Sequence, residues 1–85
     1  MPKTIRITVK LFAAYQEVVG LPELTIDLPA GSRVASVGDY LRSHYPALTP
    51  LQSVTQFGVN LEFVSPDRVL QAGDEVVLIP PVSGG

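Results

Sequence analysis

The run Val76-Val77-Leu78-Ile79 lies between the turn-forming Ala72-Gly73-Asp74 and the prolines Pro80 and Pro81. A short, unbroken apolar segment bounded by chain-reversing residues reads as a strand buried in a sheet. At the other end of the chain, Ile5, Ile7, Val9 and Leu11 alternate with Thr4, Arg6, Thr8 and Lys10. That period of two marks a strand with one face on the core and one on solvent. With 85 residues the chain makes one small domain, able to bury a core but not to enclose a deep substrate cavity beside it.

The intervening sequence supplies the rest of the sheet and its cover. Phe12, Tyr15 and Val19 are spaced for one face of a short helix, which Gly20 ends by taking a positive φ. Leu24, Ile26 and Leu28 alternate with Thr25 and Asp27 as far as Pro29, predicting a second strand. Ser36-Val37-Gly38-Asp39 reads as a capping box, and Val37, Tyr40, Leu41 and His44 then share one helical face. This main helix is expected to stop near Tyr45, because Pro46 disfavours α geometry in the residue before it. Residues 46–56 read as an irregular connection with one helical turn. Phe57-Gly58-Val59-Asn60 and Glu62-Phe63-Val64 read as two short strands turning at Asn60.

The predicted class is α+β, a mixed sheet wrapped on one main helix. A β-grasp roll, with the first and last strands side by side in parallel, fits that order best. It sets Val76 to Ile79 at the sheet centre and divides the chain into a domain of residues 1–79 and an extended tail of residues 80–85. In that tail, Pro80-Pro81-Val82-Ser83 restrict the backbone. Gly84 and Gly85 have no Cβ and can pass through a channel too narrow for a side chain.

Composition removes several functions. The net charge is −2, and the six Lys and Arg are scattered singly, so no basic stripe neutralises phosphates and nucleic-acid binding is not expected. No segment has the length or apolarity of a membrane span, and residues 2–11 are not an apolar leader. A cytoplasmic protein is the default expectation. There is no cysteine, hence no disulfide, zinc knuckle or thiol nucleophile. No His, Asp or Glu set has metal-ligand spacing, so no metal is expected. Yet 46% of residues are hydrophobic and 16% charged, an apolar balance for so small a domain. A partner-facing apolar patch is therefore expected, with Phe12, Phe57, Val59, Leu61 and Phe63 as its candidates.

Among groups able to do chemistry, His44 reads as a structural histidine near a helix end. Asp74 and Glu75 read as a solvated turn, since adjacent strand residues point to opposite faces. That leaves the Gly85 carboxylate as the reactive candidate. Ionised at neutral pH, it is a poor electrophile until activated. Adenylation by an ATP-dependent partner would make AMP the leaving group, and a sulfur donor could then leave a thiocarboxylate.

The stretch from Ala72 through Pro80-Pro81-Val82-Ser83-Gly84-Gly85, the opening Val9-Lys10-Leu11-Phe12-Ala13 and the segment Val59 to Val64 together resemble the small, sulfur-carrier subunit of molybdopterin synthase. The resemblance covers essentially the whole chain and implies a ubiquitin-like β-grasp fold. It implies that an E1-like enzyme uses ATP to adenylate Gly85, that a sulfur donor converts it to a thiocarboxylate, and that the tail, Pro80 to Gly84, inserts into a large synthase subunit. Sulfur would pass there to cyclic pyranopterin monophosphate, within a heterotetramer. No cofactor is expected to be bound by this chain beyond the covalent sulfur at Gly85. Carriers for thiamine or tRNA thiolation and ubiquitin-like modifiers share the fold and the Gly-Gly end. From a different class, a passive interaction module would use only the apolar sheet.

Overall fold

The computed structural model describes residues 3–80. Five strands form one sheet: β1 (Thr4–Leu11), β2 (Glu23–Pro29), β3 (Gln56–Val59), β4 (Glu62–Val64) and β5 (Glu75–Ile79), in the order β2-β1-β5-β3-β4. β1 and β5 are parallel, with Val9 opposite Val76 and Leu11 opposite Leu78, while the other neighbours are antiparallel. The first and last strands thus lie together, with β5 at the centre, as the apolar run at residues 76–79 requires.

One face of this sheet packs on α2 (Ala35–His44). Ile5, Ile7, Val9 and Leu11 of β1, Ile26 and Leu28 of β2, and Val76 and Leu78 of β5 meet Val34, Val37 and Leu41 there. The shorter α1 (Ala14–Val19) buries Tyr15 and ends at Gly20, whose φ of 85° lets its N–H return to the Gln16 carbonyl at 2.8 Å. Phe12, grouped with this helix by its spacing, instead precedes it and is exposed. His44 is exposed at the end of α2, where Nδ1 donates to the Tyr40 carbonyl at 2.9 Å and the ring stacks on Tyr40.

Two local expectations change. α2 begins at Ala35, so Ser36 lies within the first turn and caps nothing. Its early amides are satisfied through space: Val34 N–H donates to the Arg68 carbonyl at 2.8 Å and Ala35 N–H to the Pro66 carbonyl at 3.1 Å. A neighbouring loop supplies the acceptors a side-chain cap would otherwise provide. Residues 46–54 are not irregular but a continuous 3-10 segment, Pro46–Val54, burying Leu48. Pro46 starts it and Pro50 lacks the N–H an α-helix interior would use. The Thr55 hydroxyl closes it on the Leu51 carbonyl at 2.6 Å and meets the Tyr15 hydroxyl, tying the segment to α1.

Among the described residues, no helix is long and apolar enough to cross a membrane, and no three His, Asp or Glu side chains gather as a metal site.

Candidate functional site

Among the described residues no helix covers the second face of the sheet, and its two halves differ. On the β1–β2 side it is polar. Arg6 Nε donates to Asp27 Oδ1 at 3.0 Å across the pair, and this hydrogen bond, aided by charge attraction, raises the guanidinium pKa. The same bond holds the Asp27 carboxyl below its ordinary value. Lys10 and Glu75 approach to 3.9 Å between β1 and β5.

On the β5–β3–β4 side the face is apolar. β5 buries Val76 and Leu78 on the helix side, so Val77 and Ile79 point the other way and are only half-buried. They line a shallow cavity of about 240 Å³ with Phe12, Gly58, Leu61 and Phe63. Gly58 forms its floor, opposite Val77: a Cβ there would lie 3.7 Å from Val77 Cβ and 3.5 Å from the Glu62 carbonyl oxygen. Phe12 is 50%, Phe63 74% and Leu61 91% exposed.

Of the five expected patch residues, the structure therefore brings Phe12, Leu61 and Phe63 together on the uncovered face. Phe57 and Val59 are corrections. Both are buried in the core, because pairing Phe57 with Leu78 and Val59 with Val76 puts them on the helix side. In their place stand Val77 and Ile79, which sequence reasoning missed. The signal was present in the unbroken apolar run at residues 76–79, since only one face of that strand has a helix to meet.

Asp74 is a further correction. The expected solvated turn is instead a clamp around a buried carboxylate. Asp74 Oδ1 accepts from Asn60 Nδ2 at 3.0 Å and Oδ2 from the Gln71 N–H at 2.8 Å. Asn60 Oδ1 in turn accepts from the Glu75 N–H at 3.0 Å, and the Asn60 N–H donates to the Glu75 carbonyl at 2.9 Å. The β3–β4 turn is thereby fastened to the start of β5.

The tail leaves from the end of β5. Pro80, expected as its first residue, is buried, and the expected tail residues Pro81, Val82, Ser83, Gly84 and Gly85 lie outside the described residues.

A mixed five-stranded sheet over one helix, with parallel terminal strands at its centre, defines a ubiquitin-like β-grasp protein, here with one sheet face partly uncovered and apolar. Residues 9–85 match the model of the ThiS family. A molybdopterin synthase sulfur carrier subunit of Arabidopsis thaliana is 35% identical over 82 residues, spanning 96% of this chain and 85% of that protein. Another, of Chlamydomonas reinhardtii, is 36% identical over 83 residues, spanning 95% of this chain and 100% of its own length. Among solved structures, SAMP1 from Haloferax volcanii matches with a TM-score of 0.81 at 31% identity, covering 94% of this chain and 99% of that one. The chain belongs to the ThiS family and sits among its molybdopterin synthase sulfur carrier subunits.

Proposed function

We propose that this chain is the sulfur-carrying small subunit of a molybdopterin synthase, not catalytic by itself, and that Gly85 bears the sulfur. An E1-like partner transfers AMP from ATP to the Gly85 carboxylate and releases pyrophosphate. Hydrosulfide supplied by a sulfur donor attacks the acyl carbon, AMP departs with the C–O bonding pair, and a thiocarboxylate remains. The thiocarboxylate sulfur is the nucleophile delivered to cyclic pyranopterin monophosphate. Hydrolysis after transfer restores the carboxylate. Pro80 to Ser83 are the stalk and Gly84 gives clearance. The setting is cytoplasmic, and the partner is the large subunit, in a heterotetramer.

The observation that carries this reading is the match over nearly the whole chain to relatives bearing that subunit's name. The fold supports it in one respect. Five residues follow Pro80, and an extended chain spans at most ~3.6 Å per residue. Gly85 thus works within about 18 Å of Pro80. Any partner that holds Gly85 in its active site must come close to the end of β5, where Ile79 borders the apolar face. Phe12, Leu61, Phe63, Val77 and Ile79 are then the docking surface.

A second reading, a ubiquitin-like modifier, is favoured by the likeness to SAMP1, a small archaeal modifier protein. Both use an activated terminal carboxylate and differ in what attacks it. Incubation with the E1-like enzyme, ATP and a sulfide source, followed by intact-mass and peptide mapping, tests the proposal. Oxygen replaced by sulfur at Gly85, lost again on adding large subunit and pyranopterin, is the expected result. No thiocarboxylate from a demonstrably active E1-like enzyme overturns it, and lysine-linked conjugates in its place favour the modifier.

A further inference from the structure

Among the described residues, three other than glycine take a positive φ: Ala13 at 50°, Asn60 at 50° and Leu61 at 72°. Of these, Leu61 lines the apolar face, and Ala13 and Asn60 are the chain neighbours of its lining residues Phe12 and Leu61. Ala13 follows Phe12, and Asn60 and Leu61 form the turn between β3 and β4. Such conformations are costly for side chains with a Cβ, and they persist only where surrounding structure imposes them. A two-residue hairpin turn with both φ positive favours Asn followed by Gly. Asn60 obeys that preference. Leu61 does not, for a branched apolar side chain stands where glycine is preferred and is 91% exposed. It contributes almost nothing to the core.

We propose that Leu61 is a preorganised contact residue for the large subunit, held out by the Asn60–Asp74 clamp at the end of the apolar face opposite the tail's origin, with Asp74 as its positioning residue. The inference rests on the sulfur-carrier reading above. Asn60 ties the turn to β5 through three hydrogen bonds, with its own N–H, Oδ1 and Nδ2, and Asp74 closes the circuit to Gln71 from a buried position. The backbone of Leu61, next along the chain, is thereby fixed at its positive φ. A turn whose backbone is fixed before contact loses less entropy on binding. The short reach from Pro80 to Gly85 brings a partner engaged with the tail to Ile79, and the apolar cavity that Ile79 lines extends to Leu61, so the same partner is the occupant of that face. Glu62 beside Leu61 makes no ion pair among the described residues. The matching surface is therefore an apolar socket with a basic group at its edge.

The hydrogen-bond polarity of the clamp supplies a rescue test. In Asp74→Asn, the new amide can still accept from Gln71, but its NH2 then faces the NH2 of Asn60. Turning Asn60 over sacrifices the bond from the Glu75 N–H, so one bond is lost either way. Adding Asn60→Asp restores all three, since the introduced carboxylate accepts from both the Glu75 N–H and the amide at position 74, and aspartate tolerates positive φ. The affinity of the purified large subunit for the intact chain and for the variants Leu61→Gly, Asp74→Asn and the Asn60→Asp/Asp74→Asn swap is measured alongside each Tm. Leu61→Gly is expected to bind ~10- to 100-fold more weakly with a Tm that is unchanged or higher. Asp74→Asn should bind more weakly, and the swap should recover most of the loss. If the unsubstituted chain neither binds the large subunit nor passes sulfur to it, the carrier reading falls and takes this inference with it. If the unsubstituted chain does both and Leu61→Gly binds equally well, or loses affinity only in step with a lower Tm, the inference alone is overturned. Loss of self-association in Leu61→Gly, seen by sedimentation with large-subunit binding intact, would overturn it in favour of a second copy as the occupant.

Discussion

Replacing Phe63 with alanine separates docking from folding, because the structure divides that side chain's surface unequally between the two. A phenylalanine presents about 200 Å² of surface, and Phe63 is 74% exposed. About 150 Å² is thus available to a partner and ~50 Å² is already buried by the fold, at ~25 cal/mol per Å². The folded share is worth about 1 kcal/mol, or ~4–8 °C in Tm for a domain of this size. The partner's share has a ceiling near 4 kcal/mol, which ordering and imperfect fit reduce to about 2–3 kcal/mol. Phe63→Ala should therefore weaken large-subunit binding ~30- to 150-fold while the domain stays folded at room temperature. Calorimetric titration of the large subunit, paired with a thermal melt, reads both quantities. A change in Kd of less than about threefold in a folded variant would refute the assignment of this face to the partner. So would a Tm loss large enough to explain the weaker binding.

Three further outcomes test the fold. Leu78→Ala at the centre of the sheet, where Leu78 is fully buried, should cost about 2–5 kcal/mol; a denaturant midpoint shifted by less than a quarter of the total would contradict the central placement of β5. Gly73→Ala should cost about 1 kcal/mol through its backbone alone, because Gly73 has a φ of 86° and open space around its Cβ position; Gly73→Asn should cost less, and equal losses would mean the turn is not left-handed. Asp27→Asn addresses pH. The folded Asp27 pKa is depressed by Arg6, so the pair's contribution is present above about pH 4 and fades as pH falls through the lower folded value. Both side chains are exposed, which keeps the effect small. The variant's Tm deficit at neutral pH should close in acid, and a deficit that widens there would reverse the sign.

What the chain order reveals and what it conceals divide along the range of the interactions. β1, β2 and the left-handed end of α1 at Gly20 depend on residues within a few positions of one another, and they are readable as period-two alternation and a glycine stop. The start of α2 is not, because its amides bond to carbonyls of Arg68 and Pro66, more than thirty positions away. The buried state of Asp74 is hidden for the same reason, since its partner Asn60 lies in another strand's turn. The uncovered face is the instructive case. Whether Phe57 or Gly58 faces the helix is decided by register, and a one-residue slip exchanges the faces. Only the pairing of Phe57 with Leu78 fixes it. Gly58 carries a partial clue, as a glycine inside a strand often marks close approach by something else. Val76 to Ile79 carry a fuller one. A strand apolar at every position calls for cover on both sides, and α2 covers only the side of Val76 and Leu78. Val77 and Ile79 are apolar for a surface that the described residues do not supply. The same four residues that dictate a central strand thus also supply, through Val77 and Ile79, the docking face proposed above.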